Sequence, residues 1–328
     1  MEPVRHRCVL IAMGGTIASR VDPRTGLAVP VCSGAELVAA IPEISTVADI
    51  EIEELSCIPS PHIGPPEWVQ LHGRVAAALS RPDVTGVVIS HGTALLEETA
   101  WFLDVAVSSD KPVVLVGAQR NASEADFDGR RNLLSAARVC VSPQARGMGV
   151  LVVLNQHVNA AREVIKTHSF DVETFNSGEW GYLANVTPEE VRFHRAPLRR
   201  VHVPLTAATL PVIEILSMYA GASGELIRAA GKIASGLVIQ AVGAGHVNPA
   251  MYEAIRDVIR DGVTVAVSTR IPRGGARACY GFTGSSKSLE DCGAILSSDL
   301  NAWKARILLM LALQAGMGRQ AIQELFNS

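Results

Sequence analysis

The sequence predicts an α/β protein made of two successive units of parallel, doubly wound sheet. Three observations carry that expectation. Short apolar, β-branched runs such as Val87-Val88-Ile89 and Val113-Val114-Leu115-Val116 have the composition of strands buried on both faces. Polar or glycine-rich loops separate such runs from segments whose apolar residues recur at helical spacing. The alternation resumes near residue 210, and 328 residues are enough for two cores. The expected partition is a unit over 1–195, a linker over 196–209 and a second unit over 210–328.

Each element has a local reason. Cys8-Val9-Leu10-Ile11-Ala12 predicts a first buried strand, and Met13-Gly14-Gly15-Thr16-Ile17-Ala18 the loop after it. Its glycines let backbone N–H groups approach a ligand closely. Residues 19–30 hold turn formers without a period and predict a mobile loop. Ser33, with Glu36 three residues on, predicts a capped short helix through Leu37 and Ala40. Residues 50–58 alternate as a strand, and Pro59, Pro61, Pro65 and Pro66 stiffen a loop before a helix over 67–79. The stretch 85–140 organises the chain: strand, His91-Gly92-Thr93 loop, helix, strand, helix. The first of these helices places Leu95, Leu96, Thr99, Phe102 and Leu103 at helical spacing, with Glu97 and Glu98 at its positive end. Residues 149–154 predict another buried strand, 155–177 a polar irregular stretch and 182–195 a hairpin. The second unit reads as a strand over 212–216, a helix from Glu225 and a strand over 236–240. A glycine-rich loop over 242–246, a helix over 249–261, a strand over 263–268 and helices over 301–314 and 319–326 follow. Ligands of open parallel sheets bind at the carboxyl ends of strands, where Gly14 to Thr16 and His91 to Thr93 fall.

Composition excludes several function classes. Apolar residues at 48% and charged residues at 19% suit a packed globule rather than a disordered chain. A net charge of −3 gives no footprint for nucleic acid or an anionic membrane. No apolar run is long enough to span a bilayer, and MEPVRHRCVLIAMGG lacks the apolar core and cleavage site of a signal peptide. Six cysteines (Cys8, Cys32, Cys57, Cys140, Cys279, Cys292) show neither CxxC nor zinc-type spacing. They read as reduced core thiols of a cytoplasmic protein. No metal-binding spacing such as H-E-x-x-H occurs, and His157, His168, His194, His202 and His246 read as surface or loop residues.

Three residues in the loops could carry chemistry. Thr16 lies between glycines and an apolar helix start, Thr93 follows His91-Gly92, and Lys166 sits in REVIKTHSFDVETF. A buried lysine has its pKa lowered and can act as a base, which a threonine hydroxyl needs to become a nucleophile. Glycine-loop N–H groups can stabilise the resulting oxyanion. The simpler readings stand beside this: Thr16 bonding a loop carbonyl, Lys166 solvated, His91 a structural hydrogen-bonder, and Glu97 and Glu98 helix-start charges. Gly14-Gly15 has the look of a phosphate cradle, but neither G-x-G-x-x-G nor a Walker lysine follows.

Taken together, the motifs resemble those of the bacterial-type L-asparaginases, an amidohydrolase family that includes glutaminase-asparaginases. Gly14-Gly15-Thr16-Ile17-Ala18 is similar to the family's TGGTIA. His91-Gly92-Thr93 with Glu97-Glu98-Thr99-Ala100 resembles HGTDTxEETA, and KPVVLVGAQRNASEADFDGRRN resembles KPVVxVGAMRPxxxxSADGxxN. Lys166-Thr167 falls where the family carries its catalytic lysine; Ser268 to Pro272 and Ala305-Arg306 resemble its SSRVP and KAR patterns. The resemblance implies a larger N-terminal flavodoxin-like domain, a smaller C-terminal α/β domain, and neither cofactor nor metal. It also implies a homo-oligomer, dimer or tetramer, with sites between subunits. By position Thr16 would be the primary nucleophile, and Thr93 with Lys166 a second hydroxyl–base pair; which threonine attacks stays open. Gly15 and Gly92 would line the substrate pocket.

The departures concern the substrate's α-amino group. The family's aspartate after the second threonine is here Ala94. Ser60 matches the serine that holds the α-carboxylate, but the adjoining glutamine is Pro61. Leu27 is the nearest match to the lid tyrosine, Ala244 falls on the partner-subunit asparagine, and 273–280 offers no partner glutamate. Arg20, Arg24 and His62 are candidate substrate contacts on nearby loops. The expected activity is therefore hydrolysis of a C–N amide bond in a small molecule lacking a free α-amino group: an N-acylated amide, a lactam or imide, or a simple carboxylic amide. One alternative is an ordinary L-asparaginase releasing aspartate and ammonia, with Glu124, Asp126 or Asp128 supplying the missing carboxylate. The other is a non-catalytic small-molecule binding protein on the same scaffold.

Overall fold

The computed structural model describes residues 6–31 and 33–328, so Cys32 lies outside the described residues. The chain forms two compact units, the first ending at His202 and the second beginning at Val203. In the first unit the elements run β1 (Arg7–Ala12), β2 (Ser19–Val21), β3 (Ala28–Pro30), α1 (Gly34–Ala39), β4 (Asp49–Glu54) and α2 (Pro65–Ser80). Next come β5 (Gly86–Ser90), α3 (Leu96–Ala106), β6 (Val113–Val116), α4 (Gly129–Val141) and β7 (Val150–Leu154). The unit closes with β8 (His157–Ala160), β9 (Ile165–Lys166), β10 (Phe175–Asn176), β11 (Ala184–Val186) and β12 (Val191–Phe193).

Its main sheet has eight strands in the order β12-β11-β8-β7-β6-β5-β1-β4. The five from β7 to β4 are parallel, and β8, β11 and β12 add antiparallel pairings. The parallel strands β1, β5, β6 and β7 are apolar and buried because helices cover both faces, while the edge strand β4 is charged and only partly buried. Leu10, Val88, Val114, Val116, Leu151 and Val153 share one core with Leu133, Ala136 and Ala137 of α4. Buried Trp68 of α2 stacks on Phe102 of α3, ring centroids 5.3 Å apart. The capping box predicted at Ser33 forms: its hydroxyl accepts from the Glu36 N–H, and the Glu36 carboxylate accepts from the Ser33 N–H.

Sheet order matters for function. The chain leaves β1 for β4 on one side and returns to β5 on the other. Strand order therefore reverses at β1, the place where doubly wound sheets bind their ligands, next to the loops that follow β1 and β5.

The second unit holds β13 (Ile213–Ser217), α5 (Glu225–Gly231), β14 (Gly236–Ala241), α6 (Pro249–Arg260), β15 (Thr264–Thr269), α7 (Ser286–Asp291), β16 (Ile295–Leu296), α8 (Ala302–Gln314) and α9 (Arg319–Asn327). Its four strands are parallel in the order β13-β14-β15-β16. Asn248 and Asn301 cap α6 and α8 by accepting N–H bonds from Met251 and Lys304.

Several expectations need correction. Residues 19–30 are not an unstructured loop but a hairpin, β2 against β3, closed by Asp22 N–H on the Leu27 carbonyl. Strands of three residues are too short to show a period. The stretch 155–177 contains β8, an antiparallel member of the main sheet, and the two-stranded ribbon β9–β10. The strand expected over 50–58 stops at Glu54. Cys8 and Cys140 are buried reduced thiols, and their mutual hydrogen bond, with burial, pushes the Cys140 thiol up. Cys57 and Cys279 are instead exposed, because they lie on loops, and Cys292 is half-buried.

One buried side chain ties three elements of the first unit together. Asn132 of α4 is 1% exposed; its Nδ2 donates to the Gly117 carbonyl and to Asp128 Oδ2, both at 3.0 Å. Its Oδ1 accepts from the N–H of Asn155, whose φ of 47° is left-handed. Asn132→Ala leaves buried partners unbonded and is expected to cost about 2–4 kcal/mol, read as a lower midpoint of urea unfolding.

Candidate active site

The site is assembled from loops at the carboxyl ends of β1 and β5. Met13 N–H donates to the Ser90 carbonyl, which carries the β1–β5 ladder one residue past the strand. Gly14 and Gly15 then take φ of 90° and 85°, and Thr16 opens a single 3₁₀ turn, Thr16–Ala18. The turn is fastened back on Gly15, whose carbonyl accepts from the Ser19 hydroxyl at 2.8 Å and the Ala18 N–H at 3.0 Å. A Cβ on Gly15 would lie 2.2 Å from the Gly92 Cα, and one on Gly92 would lie 2.7 Å from Ser60 Oγ. Three loops thus meet at Gly15, Gly92 and Ser60, and only glycines allow the approach. Ser60 is 3% exposed and its hydroxyl accepts from the Ala94 N–H at 3.2 Å.

A relay of hydrogen bonds fixes the second loop from behind. Trp68 Nε1 donates to Thr99 Oγ1 at 2.9 Å, Thr99 Oγ1 lies 3.0 Å from His91 Nε2, and His91 Nδ1 lies 2.7 Å from the Gly92 carbonyl. With Trp68 supplying its N–H, the Thr99 proton goes to Nε2, and the ring proton sits on Nδ1 facing Gly92. That tautomer is neutral. Burial lowers the His91 pKa to about 4, against the opposing bond to Gly92.

Thr93 is 6% exposed, and Lys166 Nζ donates to its Oγ1 at 2.8 Å. Lys166 is carried by the β9–β10 ribbon, where it pairs with Phe175. The ribbon's turn is held by Thr167 N–H on the Thr174 carbonyl at 2.7 Å and His168 N–H on Thr174 Oγ1 at 2.8 Å. Lys166 is half-buried; desolvation lowers its pKa, and the charge of Glu97 works the other way. A hydroxyl in contact with an amine whose charged form is disfavoured is a nucleophile–base arrangement. Neighbouring glycine-loop N–H groups can serve an oxyanion. Glu97, at the start of α3, is thus more than helix-start charge: it is 7% exposed and acts on Lys166.

The structure brings Gly15, Ser60, Gly92, Thr93, Ala94 and Lys166 together, with Thr16 half-buried directly after Gly15. Pro61 is exposed in the 3₁₀ turn that carries Ser60. Leu27 is 68% exposed at the β2–β3 turn, and Arg20, Arg24 and His62 are exposed as well. Ala244 and residues 273–280 belong to the second unit. Sequence reasoning missed Gln119, whose Oε1 accepts from Thr93 Oγ1 at 2.8 Å and from Lys166 Nζ at 3.0 Å. The available signal was Gln119 standing where the family pattern GAMRP has methionine. Among the described residues no three His, Cys, Asp or Glu side chains cluster as metal ligands.

Two outcomes follow from this geometry. Gly15→Ala combines a strained φ with backbone overlap and is expected to lower Tm by about 10 °C or more in a thermal melt. Unfolded His91 takes a proton near 6.5 but the folded ring only near 4. Stability contributed by the neutral ring is therefore full above about pH 6.5 and falls as pH drops toward 4, by ~3 kcal/mol across the window. Urea unfolding at pH 7 and pH 4.5 should show that slope in the parent chain and a flatter one in His91→Gln.

Comparison with known proteins agrees with the architecture. Residues 7–199 match the Asparaginase, N-terminal family, and residues 212–326 match the Glutaminase/Asparaginase C-terminal domain. L-asparaginase 2 of Bacillus subtilis is 34% identical over 97% of this chain and 85% of its own. L-asparaginase 2 of Escherichia coli is 33% identical over 97% of this chain and 92% of its own. The probable periplasmic L-asparaginase of Haemophilus influenzae is 35% identical over 97% of this chain and 91% of its own. The crystal structure of a probable cytoplasmic L-asparaginase from Campylobacter jejuni superposes with a TM-score of 0.90 at 32% identity, covering 99% of this chain and 100% of that one. With its two halves matched end to end, this chain belongs to the asparaginase family of amidohydrolases.

Proposed function

We propose that the protein hydrolyses the C–N bond of a small amide, lactam or imide lacking a free α-amino group. The observation that carries the reading is the Lys166–Thr93 contact at 2.8 Å with apolar Ala94 as the next residue. Thr16 and Thr93 supply the hydroxyls and Lys166 the base. Gly15 and Gly92 line the pocket, and Ser60 binds a carboxylate where the substrate has one. Neither Ala94 nor Pro61 offers a counter-charge to a substrate ammonium, whose transfer out of water would go uncompensated there.

Ordinary L-asparaginase activity is the second reading, favoured by the names of the relatives. It needs a carboxylate from elsewhere, and the three candidates on the loop after β6 already have partners. Asp128 accepts the N–H groups of Gln119 and Arg120 and the Asn132 amide. Asp126 accepts from Arg120 Nε at 3.1 Å, and Glu124 takes the N–H and amide of Asn121.

Assembly into a dimer or tetramer completes the proposal, supported by the family resemblance; a monomer in sedimentation velocity would count against it. Cytoplasmic residence is supported by the designation of the Campylobacter protein, while the Haemophilus relative is designated periplasmic. Cell fractionation decides between them.

The direct test is steady-state ammonia release from L-asparagine, succinamic acid (asparagine without its amino group), N-acetylasparagine and succinimide, with ring opening followed for the imide. The best of the last three is expected to exceed asparagine in kcat/KM by at least about 100-fold. Asparagine turning over best would sink the reading. On the preferred substrate Thr93→Ala and Lys166→Ala are expected to lose about 10³-fold in kcat.

A further inference from the structure

Gln119 lies at the centre of the hydroxyl–amine pair, and its orientation is fixed by what surrounds it. Its Nε2 donates to the carbonyls of Ser169 and Asp171, at 3.3 and 3.1 Å, in the turn between β9 and β10. Carbonyls accept only, so the amide nitrogen must face that turn. Oε1 is left facing Thr93 and Lys166, and takes one bond from each, at 2.8 and 3.0 Å. Lys166 Nζ also reaches Thr93 Oγ1 at 2.8 Å, so the three polar atoms form a closed triangle. The main-chain N–H of Gln119 is anchored in turn on Asp128 Oδ2.

We propose that Gln119 is a positioning residue that orients the amine of Lys166 toward Thr93 for proton transfer. The inference rests on the reading of Lys166 as the base. A neutral amine has two N–H bonds and one lone pair. With one N–H held by Gln119 Oε1, the lone pair can face the Thr93 oxygen. The Thr93 proton rests on Gln119 and turns to the amine by rotation about Cβ–Oγ. Transfer breaks the O–H bond of Thr93 and forms an N–H bond on Lys166. The resulting ammonium donates to both Gln119 Oε1 and the new alkoxide. The same amide thus accepts from the amine before and after the step, which is the role of the third group behind a nucleophile–base pair.

The charges around the amine bear on any titration of it. Glu97 acts from α3. His168, Asp171 and Glu173 lie in the β9–β10 turn, and Arg120, Glu124, Asp126 and Asp128 in the loop after β6. All are unchanged in the variants that test the proposal. Gln119→Met keeps length and removes the acceptor. Gln119→Glu keeps an acceptor, removes the bonds to the turn and adds a charge.

The chain has five lysines, so labelled lysine Cε signals report the Lys166 titration by NMR without turnover. Gln119→Glu is expected to move that titration up by about one pH unit or more, and Gln119→Met to move it down. With succinamic acid as probe, kcat of Gln119→Met falls at least about tenfold at every pH with KM within about threefold. Gln119→Glu regains most of the parent kcat once the pH is raised past its shifted titration. An unmoved Lys166 titration in folded variants overturns the proposal. So does equal loss in both variants at every pH, which would mean that the amide only ties down the turn. If the parent enzyme leaves succinamic acid untouched, the kinetics are read on the best of the other amides and imides, and the NMR titration still decides the role of Gln119.

Discussion

The structure depends on the approach of two backbones. Gly15 and Gly92 lie so close that neither tolerates a Cβ, and Ser60 packs directly against the second of them. The contact exists because β1 and β5 are adjacent parallel strands whose following loops leave the sheet at the same edge. Strand order reverses at β1, the point at which doubly wound sheets bind their ligands. Thr16 and Thr93 each follow the glycine at the contact by one residue, and their positions are set by it. Reactive groups far apart in the chain are brought together by backbone geometry before any side-chain attraction acts.

Electrostatics then divides the labour. His91 is buried and held neutral by its tautomer, so it shapes the loop and carries no charge. Lys166 is only half-buried and keeps the ability to change protonation state, with desolvation and Glu97 pulling in opposite directions. A neutral hydrogen bond contributes about 1 kcal/mol, whereas a charge moved out of water costs several. The relay through Trp68, Thr99 and His91 therefore decides conformation, and the surroundings of Lys166 bear on its charge.

Much of this was legible in the sequence, and the failures share a cause. Strands β1, β5, β6, β7, β14 and β15 are runs of apolar residues because both sides of each are covered, and composition alone reveals such strands. The hairpin β2–β3 and the ribbon β9–β10 have strands of three and two residues, which carry no readable period. Elements α7 and β16 escaped for the same reason. The threonines and the lysine were visible through their motifs. Gln119 shows in its motif only as a departure from the family's methionine, because its importance comes from bonds that join the loops after β5 and β6 to the β9–β10 ribbon, which no local pattern encodes.

The ribbon that bears Lys166 is not part of the eight-stranded sheet. Its two strands form their own ladder of two residue pairs, and the Gln119 amide reaches its turn from the loop after β6. Lys166 thus rides on a module separable from the scaffold that carries Thr16 and Thr93. Lengthening or shortening that module changes how far the amine extends while every strand of the sheet keeps its register. Divergence in chemistry within such an architecture has a simple route: edit the segment from Lys166 to Asn176 and leave the eight-stranded sheet alone.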